Sequence, residues 1–318
     1  MMSNRSSKGA RLLAWAAAGL AATGLSGAVH AGEGGGSAYL QGTYGDFGAA
    51  VAQPKGVYIL VDNFYYTARA KVPLLGQAIT ARLDQQLYAS NVKLAWQTDA
   101  TIFGGRYSAT AVIPVIYDVN LRGSLSGIPV LRRGNVAGVG DIFLIPIQLN
   151  WKEGNHHITA AAGVVIPTGR YRPDAILNLS RNYWSIDPTV SYTYLDEEKG
   201  RDLSFTAGIL FNFKNPDTQY KTGEEFHLDF NLGQYFSEHV GVGVTGYWYE
   251  QISSDSGKLP FYARNGFKGS GIGVGPSAFG SFDIGKQNIF VIGKMIFDVH
   301  NKQRLKGDIY MLSIGTKF

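Results

Sequence analysis

Apolar and polar residues alternate along most of this chain, and the alternation recurs in segments of similar length. In "DLSFTAGILFNF", Leu203, Phe205 and Ile209 fall on one face, whereas Ser204 and Thr206 fall on the other. A period of two residues is typical of a β-strand with one apolar and one polar face. Amphipathic helix periodicity is scarce, so the pattern predicts an all-β protein.

About twelve such segments follow one another, each of about 10 to 14 residues, near the length that a tilted strand needs to cross a bilayer. They lie near residues 56–69, 88–98, 101–116, 138–151, 157–168, 183–195, 202–214, 223–236, 239–252, 269–283, 287–299 and 307–318. An even strand number places both chain ends on the same side of a closed antiparallel sheet.

The connections between these segments alternate in length. The short ones lie near residues 99–100, 152–156, 196–200, 237–238 and 285–287. The long ones include residues 119–138, 169–182 and 253–269. An up-and-down membrane barrel has this pattern, with short periplasmic turns and longer external loops.

The direction in which the apolar face points separates a membrane barrel from a soluble one, because only a membrane barrel turns that face outward to lipid. The polar faces are small and glycine-rich, which favours a crowded lumen. They carry charged residues, among them Lys93, Arg106, Asp187, Glu225, Asp229 and Lys294. Aromatic residues cluster at strand ends, as interfacial girdles do. The sequence therefore predicts an antiparallel up-and-down transmembrane β-barrel of about 12 strands.

The start of the chain has the features of a secretory leader. Arg5, Lys8 and Arg11 precede an apolar run from Leu12 to Leu25. After this run, Val29-His30-Ala31 offers small residues at the positions that a signal peptidase reads. This pattern predicts a signal peptide over residues 1–31, cleaved after Ala31; the alternative is a single N-terminal membrane anchor.

Composition narrows the classes of function. The formal net charge of +5 falls to +2 without the three basic residues of the leader, and the remaining basic residues are scattered, so nucleic acid is not an expected partner. The chain has no cysteine, which excludes disulfides and thiolate metal sites. Aromatic residues make up 13% and charged residues 17%, an unusual balance for a soluble domain.

The last strand ends on Phe318, the final residue. Outer-membrane barrels of Gram-negative bacteria commonly finish on an aromatic residue that the barrel assembly machinery reads. We therefore expect an outer-membrane protein of a Gram-negative bacterium, with membrane lipid and this machinery as partners.

Several stretches are similar to a known family. "GDIFLIPIQLNW", "GVVIPTGRY", "RNYWSIDPTVSYTY" and the opening "GGGSAYLQGTYGDFGAAVAQPKGVYI" resemble the outer-membrane family named for the meta-cleavage pathway of phenol degradation. The resemblance covers most of residues 34–318. It implies a barrel associated with uptake of aromatic or other hydrophobic compounds, and it brings no catalytic motif.

Residues 32–55 precede the barrel, which we expect over 56–318. This glycine-rich segment either folds into the lumen as a constriction, with Tyr44 and Phe47 contacting solute, or forms a flexible periplasmic tail. Pro167 and Gly169 would end a strand, and Arg170 and Tyr171 would follow at the mouth. The candidate solute path comprises Tyr44, Phe47, Lys93, Arg106, Arg170, Tyr171, Asp187, Glu225, His227, Asp229 and Lys294.

The sequence contains no recognisable catalytic, cofactor or phosphate-binding motif. Glu225, His227 and Asp229 share a face and resemble acid–base groups, but a hydrogen-bonded cluster in a narrow polar lumen is the favoured interpretation. We expect a channel for passive uptake of small hydrophobic or aromatic compounds, without cofactor, metal or enzymatic activity. The alternatives are a structural or adhesive barrel and an outer-membrane lipid-modifying enzyme.

Overall fold

The computed structural model describes residues 32–33, 36–74, 79–134, 136–175, 177–258 and 267–318; the predicted signal peptide lies outside these ranges. Within them, twelve strands form one closed antiparallel barrel. The strands are β1 (Gly56–Leu74), β2 (Ile79–Ile102), β3 (Gly105–Leu125), β4 (Ile142–Glu153), β5 (His156–Ile166), β6 (Ser185–Asp196), β7 (Arg201–Asn212), β8 (Glu225–Ser237), β9 (Val240–Gln251), β10 (Ser270–Ile284), β11 (Gln287–Lys302) and β12 (Lys306–Lys317).

The barrel closes where the two ends of the chain meet. Tyr65 of β1 pairs with Tyr88 of β2 on one side and with Tyr310 of β12 on the other. In the described part of the chain, each of the twelve barrel strands therefore has a neighbouring barrel strand on both sides. A sheet in lipid needs this closure, because lipid offers no partner for an unpaired backbone group.

The side chains alternate across the barrel wall as the sequence predicts. On β7, Asp202, Ser204 and Thr206 are buried in the interior, whereas Leu203 and Phe205 are 42% and 37% exposed. Polar groups thus face inward and large apolar groups face outward. This is the reverse of a soluble barrel and is typical of barrels that contact lipid.

The first three strands are longer than predicted. A turn expected at Asp99 and Ala100 lies instead at Phe103 and Gly104, whose φ angles are 49° and 74°. Residues 98–100 form a bulge opposite Tyr107 on β3. The bulge interrupts the alternation, and Phe103 is an unusual residue for a turn with positive φ, so the sequence misplaces the strand end.

The predicted loop over 119–138 is also wrong in part. Strand β3 continues to Leu125, and Ile128–Arg133 folds back to pair with it. The turn between them uses Ser126 and Gly127, with φ of 45° and 86°. The barrel wall therefore extends beyond the predicted membrane-crossing length at this point.

Strand pairing between β6 and β7 is interrupted at a proline. Ile186 pairs with Phe211 and Thr189 pairs with Gly208, with no pairs between them at Asp187 and Pro188. Proline has no backbone N–H to donate to a neighbouring strand. The sequence indicates this local break from the Asp187-Pro188 dipeptide.

The long connections gather at one end of the barrel and the short turns at the other. At the long-loop end, Tyr220–Lys221 pairs with Ser256–Gly257 in a small separate sheet, and Gly138–Val139 pairs with β3. The short-turn end is the periplasmic end in barrels of this kind. In the described part of the chain, no helix is long and apolar enough to cross a membrane.

Candidate functional site

Residues 36–54, termed the inner segment, run through the barrel from the long-loop end to the short-turn end. Near the long loops, the Ser37 hydroxyl donates to the Glu225 carboxylate of β8. At the other end, the Ala50 N–H donates to Thr193 Oγ1 of β6 at 3.0 Å. Of the two predicted arrangements for this segment, these contacts correspond to the one inside the lumen.

A buried cluster holds the middle of the inner segment. His227 Nε2 lies 2.9 Å from Asp187 Oδ1, and His227 Nδ1 lies 3.8 Å from Asp229 Oδ2. The Tyr39 hydroxyl donates to Asp229 at 2.5 Å and the Tyr44 hydroxyl donates to Asp187 at 2.9 Å. Two tyrosines of the inner segment thus engage two aspartates of the wall on either side of one histidine. We call these five residues the luminal cluster.

Aromatic stacking adds to these hydrogen bonds. The Tyr39 ring centroid lies 4.3 Å from that of His227, with an interplanar angle of 19°. The Tyr44 ring lies 5.4 Å from His227 at the same angle. Both rings therefore cover the imidazole and shield it from water, and His227 is completely buried.

The strand register explains why the cluster forms. His227 and Asp229 are two residues apart on β8 and so point to the same face. Gly208 of β7 pairs with His227, and a Cβ at Gly208 would lie 2.5 Å from His227 Nε2. The missing side chain at Gly208 leaves room for the imidazole to reach Asp187.

The buried ammonium group of Lys294 makes a second contact between the barrel wall and the inner segment. Lys294 Nζ donates to the carbonyl oxygens of Gly42 and Gly45 at 2.7 Å and 3.2 Å and to Asp46 Oδ1 at 2.5 Å. Thr245 Oγ1 also donates to the Gly45 carbonyl, at 3.1 Å. Carbonyl and carboxylate oxygens replace the water that a buried ammonium loses. Lys294 therefore fixes the turn of the inner segment.

The short-turn end of the inner segment is held by backbone groups. Gly48 N donates to Asp202 Oδ2 at 2.6 Å, and Thr159 Oγ1 donates to the Ala50 carbonyl at 3.1 Å. Phe47 packs against Tyr235 and Phe279, with ring centroids 5.4 Å and 5.9 Å away. Phe47 is buried in this contact and does not line the cavity described below, and its role in solute contact stays a prediction.

The other side of the lumen remains open. A cavity of about 660 Å3 lies between the inner segment and strands β2–β5. Tyr39, Tyr44 and Asp187 line it on the segment side. Its opposite wall is largely apolar and includes Leu87, Val112, Ile116, Phe143, Ile145 and Val165.

The remaining candidate residues are spread along the barrel. Lys93 lines the cavity and pairs with Asp62 at 2.7 Å. Tyr171 lines the cavity near the long loops, where its hydroxyl accepts a hydrogen bond from Asn215 at 3.1 Å. Arg106 donates to the Gln53 carbonyl at 2.6 Å, near the short turns, and Arg170 is exposed on a long loop. Arg106, Arg170, Glu225 and Lys294 do not line the cavity in the described part of the chain.

Sequence reasoning missed two groups that shape this site. Tyr39 lies in a segment without periodicity, and only its place beside the predicted Tyr44 could have suggested it. The apolar wall was missed because Ala111–Ile116 of β3 is apolar on both faces. A strand that lacks a polar face in an otherwise alternating barrel was the available signal.

The arrangement has few of the features of a catalytic centre. In the described ranges, His227 has no serine partner, and no group of three or more potential ligands is placed to hold a metal ion. The imidazole of His227 is buried under the Tyr39 and Tyr44 rings and does not line the cavity, whereas its partner Asp187 does. The site binds a chain segment on one side and has an open cavity with a largely apolar wall on the other.

The sequence matches a family model over residues 62–314, described as "Putative MetA-pathway of phenol degradation". No curated protein matches the chain.

Solved structures add evidence on the fold. An outer-membrane channel from Pseudomonas putida F1 is similar with a TM-score of 0.67 at 16% identity, covering 86% of this chain and 99% of that one. This likeness shows the barrel fold.

Two further structures are more distant. The translocator domain of the autotransporter NalP from Neisseria meningitidis has a TM-score of 0.43 at 9% identity, covering 84% of this chain and 90% of its own. The outer-membrane protease OmpT from Escherichia coli has a TM-score of 0.31 at 12% identity, covering 83% and 97%. Neither bears on function.

Proposed function

The chain belongs to the MetA-pathway phenol degradation family, and from this we propose that it is an outer-membrane channel for passive passage of small hydrophobic or aromatic compounds. The observation that supports this proposal is the cavity between the inner segment and the apolar wall of β2–β5. The proposed activity makes and breaks no covalent bond.

The lining of the cavity favours an apolar solute. Val112 and Ile116 of β3 face Tyr39 and Tyr44 of the inner segment across it. Apolar and aromatic side chains remove apolar surface of a solute from water, which is favourable by about 25 cal/mol per Å2. A hydrophilic solute would instead lose hydrogen bonds to water on entering.

The size of the cavity fits a small molecule. Ligand pockets in proteins commonly measure about 300 to 1,000 Å3, and the cavity here is about 660 Å3. Leu177 and Leu179 line it toward the long loops, and Thr159 and Gln148 line it toward the short turns. This extent along the barrel supports a route through the lumen.

The charged side chains at the cavity also bear on which solutes it would select. Lys93, which lines the cavity, is paired with Asp62, and Asp187 is bonded within the luminal cluster. Paired charges attract a charged solute less than free ones do. We therefore propose selection by apolar surface rather than by the sign of the charge.

Liposome swelling tests this proposal with two solutes of the same charge. We expect the purified protein to admit benzoate several times faster than gluconate, which lacks the aromatic ring. Ile116→Trp, on the cavity wall, should slow benzoate severalfold. The matched variant Val190→Trp places the same ring on a residue that is 57% exposed on the outside of the barrel, and it should leave the rate unchanged.

Equal rates for benzoate and gluconate would contradict the proposed selectivity. No permeation of either solute would favour a structural barrel. Uptake of radiolabelled benzoate by cells with and without the gene extends the comparison to the outer membrane.

We also propose that Phe318 serves as the recognition point for the barrel assembly machinery. Phe318 is 71% exposed, and its N–H donates to the Val57 carbonyl of β1 at 2.8 Å. The ring is therefore accessible at the short-turn end. Phe318→Ala should lower the amount of barrel in the outer membrane without changing the stability of the barrel refolded in detergent.

A further inference from the structure

Gly32, the residue that follows the predicted cleavage site, is held by a carboxylate at the long-loop end of the barrel. Its backbone nitrogen lies 3.1 Å from Oδ2 of Asp255, and the contact is buried. Asp255 itself is 4% exposed. A chain terminus usually frays in water, so burial of this position calls for an explanation.

The other partners of Asp255 are neutral. Tyr220 donates its hydroxyl to Oδ2 at 2.5 Å, while the Gly223 N–H and Gln251 Nε2 donate to Oδ1 at 2.9 Å and 2.6 Å. Burial and the hydrogen bond to Asp255 raise the pKa of Tyr220 well above its usual value, so its hydroxyl stays protonated as a donor.

Among the described residues, the ion pairs do not include Asp255. A buried carboxylate with only neutral donors is costly, and a cation at the position of Gly32 N would offset that cost.

We propose that removal of the leader after Ala31 creates this cation, and that the α-ammonium of Gly32 pairs with Asp255 to anchor the inner segment in the lumen. Signal peptidase cleavage is a net hydrolysis of the Ala31–Gly32 peptide bond: the C–N bond breaks, the oxygen of one water molecule ends in the new Ala31 carboxyl group, and the Gly32 nitrogen leaves as an amine. A free α-amino group has a pKa of about 7.7 to 8.0 and takes up a proton at neutral pH. Capture of an N-terminal amine is a known form of peptide recognition.

The surroundings of Gly32 fit a defined terminus. A Cβ at this position would lie 2.6 Å from the Gly36 carbonyl oxygen, so the site accepts glycine and closes around it. The next residue, Glu33, donates its N–H to Thr222 at 3.1 Å. The Glu33 carboxylate accepts hydrogen bonds from Thr218 at 2.6 Å and Asn215 at 2.9 Å. The long loops thus hold both of these residues.

The proposal couples two events. An uncleaved chain carries an amide nitrogen at Gly32, which donates one hydrogen bond but no charge. Only the processed chain completes the ion pair. Cleavage would therefore both release the protein from its leader and seat the inner segment.

Labelling of a single cysteine tests the anchor. The chain has no cysteine, so Ala38→Cys in the inner segment would be the only thiol. The reagent is a maleimide carrying a polymer too large for the cavity, so labelling requires the inner segment to leave the lumen. Mass spectrometry of the mature protein should first show Gly32 as the first residue.

In this Ala38→Cys background, inserting Gly-Ser between Ala31 and Gly32 moves the amine by up to about 7 Å. We expect about tenfold or faster labelling, as for loss of a buried ion pair. Asp255→Asn should have a similar effect. The two changes together should label no faster than either alone, because both remove the same pair.

The matched control inserts Gly-Ser between Gln53 and Pro54, which lengthens the segment by the same amount but leaves its first residue at Asp255. Labelling should then stay at the original rate. A first residue other than Gly32, an N-terminal insertion without effect, or multiplied effects in the combined variant would each overturn the proposal. These outcomes do not depend on which solutes the barrel admits.

Discussion

The two sides of the lumen differ although the same barrel builds both. Strands β6–β11, the bonded side, present Asp187, Asp229 and Lys294, and these groups hold the inner segment. Strands β2–β5, the open side, present Val112 and Ile116 to a cavity. The difference shows how one interior can be filled on one side and open on the other: polar side chains bind the inner segment, and apolar side chains border the cavity.

Removing the inner segment should abolish the difference between the bonded and open sides of the lumen. We expect this deletion to have a larger effect than the substitutions that follow. Deletion of residues 36–54 leaves the bonded side lined by groups that water can solvate, in a barrel wider than the eight-strand barrels that side chains fill. We expect single-channel conductance in planar bilayers to rise severalfold. An unchanged conductance would mean that the inner segment does not limit the pore.

Breaking the luminal cluster tests how strongly the bonded side holds together. His227→Leu removes the imidazole between Asp187 and Asp229 and leaves two buried carboxylates without it, which should lower the free energy of unfolding by about 3 to 5 kcal/mol. Guanidinium unfolding in detergent measures the change. Thr110→Val, on the open side, is the control and should cost under about 1 kcal/mol. Similar losses of unfolding free energy in both variants would contradict the idea that the bonded side contributes more to stability than the open side.

Filling the space beside the cluster should have a smaller effect. Gly208→Ala places a Cβ 2.5 Å from His227 Nε2 and 2.8 Å from Thr189 Cγ2, and such overpacking costs about 1 to 3 kcal/mol. Gly293→Ala is the matched control, since a Cβ there meets no atom within 4 Å. Thermal unfolding should separate the two, and equal midpoints would show that the space beside His227 is not tight.

The smallest expected change in stability comes from an ionised side chain at the long-loop end, Glu224. The Ser253 hydroxyl and Lys221 hold the pKa of Glu224 at about 2, below its usual 4.5. A lowered pKa stabilises the folded state above pH 4.5, and this contribution is lost as the pH falls toward 2. Glu224→Gln should therefore reduce stability slightly at neutral pH and flatten its dependence on pH in that acidic range. A stability profile identical to that of the parent protein would contradict this.

The sequence predicted best where the alternation was regular. Strands β7 and β8 were assigned within a few residues, with their polar faces inward, because each position on them follows the period of two. Strands β2 and β3 were placed less well. The bulge around Asp99 breaks the period, and the hairpin at Ile128–Arg133 continues the wall past the length that a bilayer requires.

The candidate site was only partly predictable. Local patterning identifies Glu225, His227 and Asp229 as inward groups, but their contact with Asp187 depends on register across β7. The inner segment has no period, so the sequence left its path open between lumen and tail. The role of Tyr39 follows from long-range pairing that no single stretch of sequence contains.

The meeting of β1 with β12 has a consequence for biogenesis. These strands are the first and last of the barrel, so the sheet is a trough until the final strand arrives. If the inner segment is placed while the sheet is still open, it does not have to pass Lys294 and the luminal cluster inside a closed barrel. Whether the inner segment enters before β1 and β12 pair should therefore decide whether a newly made barrel contains this segment in its lumen.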